Sequence, residues 1–358
     1  MRTAGVATRT VAPFRASRGL LVTAAALLVL LASGAVALGT GSVDVPVDRV
    51  VAVVLRRVGL ESPGAAVSLL EDQLVWQLRG PRVVGAAAVG AALAVCGAVL
   101  QSLTRNDLAD PFLLGISGGA TVGAVTVIVL GVSVAGLAGT TALSVAAFLG
   151  ALAALAVVLL IASGGPSGLS PHRTVLAGVA VAQLCGAYTS VVVIMHGQGE
   201  AARRVLSWTM GSLAGLRWDS TALLVVAAVV GLVWFTAWAD RLDGFAFGET
   251  SARSLGVPVA ATRWWLMVGT ALVTALTVAF VGAIGFVGLV VPHLVRPLVG
   301  HQHRALLPAS ACAGAVLLVW ADTAARSVVA GQEVPVGAVT ALVGVPVLVW
   351  LLARRRPA

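Results

Sequence analysis

TRWWLMVGTALVTALTVAFVGAIGFVGLVVPHLVRPLVG, residues 262–300, holds the count on which the fold turns. Its apolar part, 264–299, would run to roughly 54 Å as one helix at 1.5 Å per residue. A hydrocarbon core is about 30 Å thick. The stretch is therefore split near Gly282 to Gly285 into two passes, the second short and interrupted by glycine. The rest of the chain is of one kind: 59% of its 358 residues are hydrophobic and 10% charged, and the mean hydropathy is +1.02. Those values belong to an integral membrane protein. Other apolar runs of spanning length lie near 20–39, 83–103, 113–131, 141–163, 174–196, 221–239, 305–324 and 335–353. With the split stretch the expectation is an all-α membrane protein of ten transmembrane helices, residues 1–358 forming one domain.

Arginine placement orients that domain, because short basic loops stay in the cytoplasm. All 23 basic residues are arginine. With ten spans and the N-terminus inside, Arg2, Arg9, Arg15, Arg18, Arg105, Arg173, Arg241, Arg253, Arg263, Arg296, Arg304 and Arg354 to Arg356 are cytoplasmic, fourteen of the 23. An odd count would put the Arg354 to Arg356 cluster outside. Both termini are thus expected in the cytoplasm, with a tail over 1–19, an external segment over 40–82 and a cytoplasmic loop over 240–261. A cleaved signal peptide over 1–37 is the competing reading of the opening, but its apolar run is near twenty residues, longer than such a segment needs. Cys96, Cys185 and Cys312 fall inside spans without paired spacing and read as packing residues. The 41 glycines read as sites of close helix approach.

Four functional classes compete. Gly115-Ile116-Ser117-Gly118 has the look of an intramembrane serine protease, yet no histidine sits at matching depth in mid-membrane, and HExxH is absent. An ion-coupled transporter needs an ionisable group near the midplane, whereas Asp240 and Asp322 lie toward span ends and Asp107, Asp110, Glu249 and Glu333 in loops. A channel needs a ring of filter residues, and none is identifiable. A transport subunit driven by a separate ATPase fits best. The chain has no lysine, so it cannot carry the P-loop whose lysine reaches nucleotide phosphates. Energy then enters through a cytoplasmic surface, and RLDGFAFGETSARSLGV, 241–257, is a polar, helix-capable segment suited to that.

Seven patterns occur in one order: LRGPR (78–82), GAVLQSLTRNDLADPFLLGISGGA (97–120), VLAGVAVA (175–182), GETSARSLGV (248–257), GAIGFVGLVVPHLVRPLVGHQHRALLP (282–308), ADTAAR (321–326) and EVPVGAVTALVGVPVLVWLL (333–352). In these the chain resembles the FecCD-type permeases of bacterial importers for ferric siderophores, haem and cobalamin. Within them Gln101, Asn106, Pro111, Gly115, Pro292, His293 and Arg296 are the structural motif residues. The resemblance implies a type II ABC importer permease in the bacterial cell membrane, in contact with lipid and not with nucleic acid. It also implies a second permease copy, two ATPase subunits that hold the ATP and magnesium, and an external substrate-binding protein. DPFLLGISGGA favours pairing of the chain with itself. No catalytic residue, metal site or cofactor is expected on this chain.

By the same resemblance Gly248, Glu249, Ser251, Ala252, Arg253, Leu255 and Gly256 form the helix gripped by the ATPase. Ser170, Pro171 and His172 sit at the cytoplasmic gate, with a simple helix start as the alternative. Arg79, Arg82 and Arg326 would receive carboxylates of the binding protein at sites that stay partly wet. Two departures stand out: Asp107 replaces the proline of Asn-Pro-Leu-Ala-Asp-Pro, and Gln302-His303-Arg304 stands where the family has Asp-His-Arg. A ferric siderophore is the first expectation for cargo, with haem or cobalamin as alternatives.

Overall fold

A computed structural model describes residues 12–41, 43–60, 67–133, 136–137, 139–164, 169–246, 248–329 and 332–354. Of the expected cytoplasmic tail, residues 1–11 lie outside the described residues, as do Arg355 and Arg356. The order is α1 (Ala12–Gly39), α2 (Val47–Arg57), α3 (Leu69–Gln73), a wide helical turn Leu74–Arg79, α4 (Gly80–Thr104), a tight turn Pro111–Leu114, α5 (Ile116–Leu130), α6 (Gly139–Ser163), α7 (Pro171–His196) and α8 (Gly199–Thr209). It continues through α9 (Trp218–Ala237), α10 (Ala239–Phe245), α11 (Glu249–Ser254), α12 (Val259–Val281), α13 (Val287–Val299), α14 (His303–Ser327) and α15 (Val336–Arg354). A helix occupies every stretch read as a span. Among the described residues seven helices are long and apolar enough to cross a membrane, and α5, α13 and α15 are shorter apolar helices.

The 262–300 stretch breaks where its glycines predict. α12 stops at Val281, Gly282 takes φ +72°, and Phe286 opens α13 at φ +70°. A bulky residue seldom adopts that left-handed conformation. Two observations explain its tolerance here: Gly344 of α15 leaves room for the Phe286 ring, and neighbouring backbone closes the bend. Ser212 donates its N–H to the Val281 carbonyl, while Val336 and Gly337 donate to the carbonyls of Gly211 and Met210. The Val281 carbonyl, freed by the break, is thus met by protein, as a membrane interior requires.

α4 forms the centre, buried on nearly every side against α9, α12, α13 and α14, while α5, α6 and α7 make a second group joined through α12. Apolar burial cannot draw helices together in lipid, so close backbone approach does the work. Gly90 faces Gly314, Gly97 faces Gly288, and Gly119 faces Gly150 at backbone contact. Gly97→Ala would set its methyl on the Gly288 carbonyl oxygen. We expect that substitution to cost about 1–3 kcal/mol by overpacking and to lower the thermal unfolding midpoint in detergent. Gly186→Ala on α7, which meets open space, should not lower it. Equal midpoints for the two variants would contradict this packing account.

Candidate functional site

The described residues of 241–257 form most of α10 and all of α11, two short helices. α11 lies between Gly248 at φ +92° and Gly256 at φ +79°, conformations that suit glycine and turn the chain sharply at both ends. Ala252 is buried toward α10, while Thr250, Arg253, Ser254, Leu255 and Gly256 are exposed and Ser251 half-buried. The Leu255 side chain, 69% exposed, is an apolar group on an otherwise polar knob. The sequence places Glu249 on that gripped surface. Its carboxylate instead turns inward, 2.5 Å from Arg263 Nη2, and lies 4.0 Å from Arg253.

Arg263, which sequence reading marked only as one more cytoplasmic arginine, sits buried at the start of α12 and also donates to the Leu169 carbonyl at 2.7 Å. Leu169 precedes Ser170, Pro171 and His172, the residues expected at the gate. They open α7: Ser170 is its N-cap without a side-chain bond, and Pro171 stands in the first turn, where its missing N–H does no harm. A cavity of about 380 Å³ brings these three together with Thr104, Arg105, Asn106, Val175 and Glu249. Of the coupling residues Glu249 alone lines this cavity, 79 positions beyond Ser170 in sequence.

The motif residues explain one another chemically. Pro292 inside α13 has no N–H to give the Gly288 carbonyl four residues back. Gln101 Nε2 reaches over from α4 and donates to that carbonyl at 3.2 Å and to the Leu289 carbonyl at 3.1 Å. Its Oε1 accepts from Arg296 Nη2 at 2.7 Å, and Arg296 Nη1 pairs with Asp107 at 3.0 Å. The charge gained at Asp107 is therefore matched. The turn forms without its proline: Asn106 Oδ1 accepts from Leu108 N–H, and Asp110 caps the next turn through Phe112 N–H. Burial pushes the Asp110 carboxyl up to about 6. Pro111 begins that turn, and Gly115 ends it at φ +74°. His293 lies half-buried one turn before Arg296.

Beside this, Ser102 Oγ lies 2.5 Å from His303 Nε2, and His303 Nδ1 lies 2.5 Å from Asp243 Oδ1. The order is that of a nucleophile relay, but it involves Ser102 rather than Ser117. His303 is only 4% exposed, and Ser102 Oγ also bonds the Ala98 carbonyl of its own helix. The set pins α10 to α4 and α14. Asp243 also accepts from His303 N–H, so α10 supplies a carboxylate at the α14 N-terminus where residue 302 is glutamine.

At the opposite end the three arginines expected to stay partly wet are buried instead. Arg79 donates to the carbonyls of Leu38, Gly39 and Val43. Arg82 Nε reaches both oxygens of Asp322, at 2.9 and 3.0 Å, and its Nη1 reaches Glu333. Arg326 donates to the Ala37 carbonyl and stands 3.7 Å from Asp322. The residues do converge on one end, as the sequence implies. The guanidiniums of Arg79 and Arg82 are committed within the chain, because a buried cation is costly unless it is paired and carbonyls near the end of α1 and two carboxylates meet them; Arg326 Nε alone of this set is buried without a hydrogen-bond partner.

The profile of the FecCD transport family matches residues 27–354. A relative from Vibrio cholerae serotype O1, named vitamin B12 import system permease protein BtuC, is 42% identical over 293 residues, covering 82% of this chain and 86% of the relative. The protein of the same name from Salmonella typhimurium is 40% identical over 293 residues, covering 82% and 87%. A solved structure described as an inward-facing conformation of a metal-chelate type ABC transporter superposes with TM-score 0.80 at 27% identity, over 94% of this chain and 99% of that one. PsaBC from Streptococcus pneumoniae, solved in complex with Fab, shares the fold at TM-score 0.53 and 17% identity, over 76% of this chain and 89% of that one.

Proposed function

Because this chain belongs to the FecCD transport family, we propose that it is the membrane-spanning permease subunit of an ATP-driven importer for a metal chelate, cobalamin before a ferric siderophore. The observation that carries the reading is the match over 293 residues to permeases named for vitamin B12 import. It moves the preferred cargo from siderophore to corrinoid. The chain has no ATPase site of its own, and a partner subunit hydrolyses ATP. Arg253, Leu255 and Gly256 meet that partner directly, while Glu249 acts from behind. The orientation follows from the arginine bias: α11 and the gate cavity face the cytoplasm of a bacterium, and the buried arginines face outward, where a binding protein docks. A second copy covers the open face of α7, whose Leu176, Leu184, Val191 and Ile194 are exposed.

Two measurements test this. The purified chain alone should hydrolyse no ATP, since it lacks a phosphate-binding lysine. Turnover by a preparation shown free of other ATPases would refute the subunit reading. With its ATPase and binding protein in vesicles, cobalamin should stimulate hydrolysis above the basal rate and ferric siderophores should not. The reverse ranking would return the cargo to a siderophore.

A further inference from the structure

Arg263 touches three segments, of which α10 and α11 pack on each other while the start of α7 is distant from both in sequence. Nη2 donates to Glu249 Oε1, on the first residue of α11, at 2.5 Å. Nη1 donates to the carbonyl of Leu169, two residues before the proline that opens α7, at 2.7 Å. The guanidinium carbon lies 5.8 Å from the ring centre of Phe245, the last residue of α10. The side chain is 5% exposed, and its Nε is buried without a partner.

That unmatched N–H bears on the choice of residue. A buried polar group without a partner is costly, and an apolar side chain of similar volume often replaces a buried ion pair at no loss. Packing alone would therefore select something like methionine at 263. What arginine adds is a flat fork that holds two acceptors in fixed relation, which the single ammonium of lysine cannot do. Those two acceptors are the coupling helix and the gate segment. Glu249 also lines the same cavity as Ser170, Pro171 and His172, so a shift of its carboxylate is felt at both ends of the fork. α11 can shift as a unit, because the glycines at positive φ on either side, Gly248 and Gly256, leave its termini free of side-chain constraint.

We infer that Arg263 is a positioning residue that transmits displacement of α11 to the gate at the start of α7, through its paired bonds to Glu249 and the Leu169 carbonyl. This rests on reading α11 as the ATPase-docking helix. Motion imposed on α11 either drags the Leu169 carbonyl or breaks one arm of the fork, and both change the gate segment.

The test places a cysteine at the gate, Ser170→Cys, in a Cys185→Ala, Cys312→Ala parent reconstituted with its ATPase and binding protein. A water-soluble maleimide then reports gate exposure with and without a non-hydrolysable ATP analogue. In the parent the two labelling rates should differ. Arg263→Met should make them equal while the ATPase still co-purifies, which also shows that the variant is folded. Arg263→Lys keeps the charge and part of the volume but only one arm, and its difference should fall between those of parent and Met variant. Nucleotide-dependent labelling that survives Arg263→Met, or survives in full in Arg263→Lys, overturns the inference and leaves the docking reading intact. An ATPase that fails to co-purify with the parent removes the premise and the inference with it.

Discussion

Replacing Asp322 by alanine is expected to destabilise the folded chain by about 3–5 kcal/mol, the cost of breaking a buried pair by removing one partner. Asp322 has a side chain 2% exposed and Arg82 one 10% exposed. Without the carboxylate, Arg82 keeps only the half-exposed Glu333 as an ion-pair partner, and Arg326 keeps the Ala37 carbonyl and the Thr323 hydroxyl but no paired carboxylate. Two cations would then face each other in a medium that screens them poorly. Fluorescence-detected unfolding in mild detergent should show the loss directly. Asp322→Asn should lose less, because it retains an acceptor. In a background of Arg82→Met the further cost of Asp322→Ala should shrink, since the stranded charge is gone; additivity of the two would mean that they do not interact. The same physics governs charge reversal at Arg79. A glutamate at 79 would face the carbonyls of Leu38, Gly39 and Val43, and loss of the end of α1 should precede any effect on docking.

How far this was legible differs by kind of residue. Span positions follow from hydropathy, and so does the break near Gly282, because a mostly apolar stretch of roughly 54 Å as one helix far exceeds a hydrocarbon core of about 30 Å. Which glycines matter was not legible: among 41 the spacing of Gly90, Gly97, Gly288 and Gly314 carries no mark until two helices are laid together. Pro292 did carry a signal. A proline in a helix frees a carbonyl, and Gln101, an amide inside an otherwise apolar span, is the kind of donor to meet it. Arginines at helix ends misled for a physical reason. In sequence an arginine beside a loop looks solvated, whereas the partners that bury Arg82 and Arg263 lie 240 and 94 residues away. Glu249 misled in the same way, being polar on a polar helix yet turned to the inside.

That inward turn decides which substitutions should uncouple the importer while leaving the chain folded. Arg253→Glu combined with Leu255→Asp alters only exposed groups of α11, with side-chain exposure of 68% for Arg253 and residue exposure of 69% for Leu255. Neither carries a packing contact whose loss would unfold the helix, apart from the long 4.0 Å approach of Arg253 to Glu249. Arg253 is the residue type enriched at interface hot spots, where truncation costs about 2 kcal/mol or more, and the exposed Leu255 beside it adds apolar area to the contact. That is roughly thirtyfold in affinity, and a charge placed at 255 adds desolvation to the loss. The double variant should therefore insert and unfold like the parent, retain little ATPase on purification and transport almost nothing. Gly256→Trp should act alongside it, because at φ +79° any side chain is strained and a large one redirects the end of α11. Glu249→Arg belongs to a different class: it sets a second guanidinium against buried Arg263, so the helix is lifted from within and both docking and gate response fail together. Co-purification of the ATPase, measured against the unfolding midpoint for each variant, separates these cases. If the Arg253→Glu, Leu255→Asp chain holds its ATPase as the parent does, α11 is not the surface through which the partner grips, and the polar knob must serve some other contact.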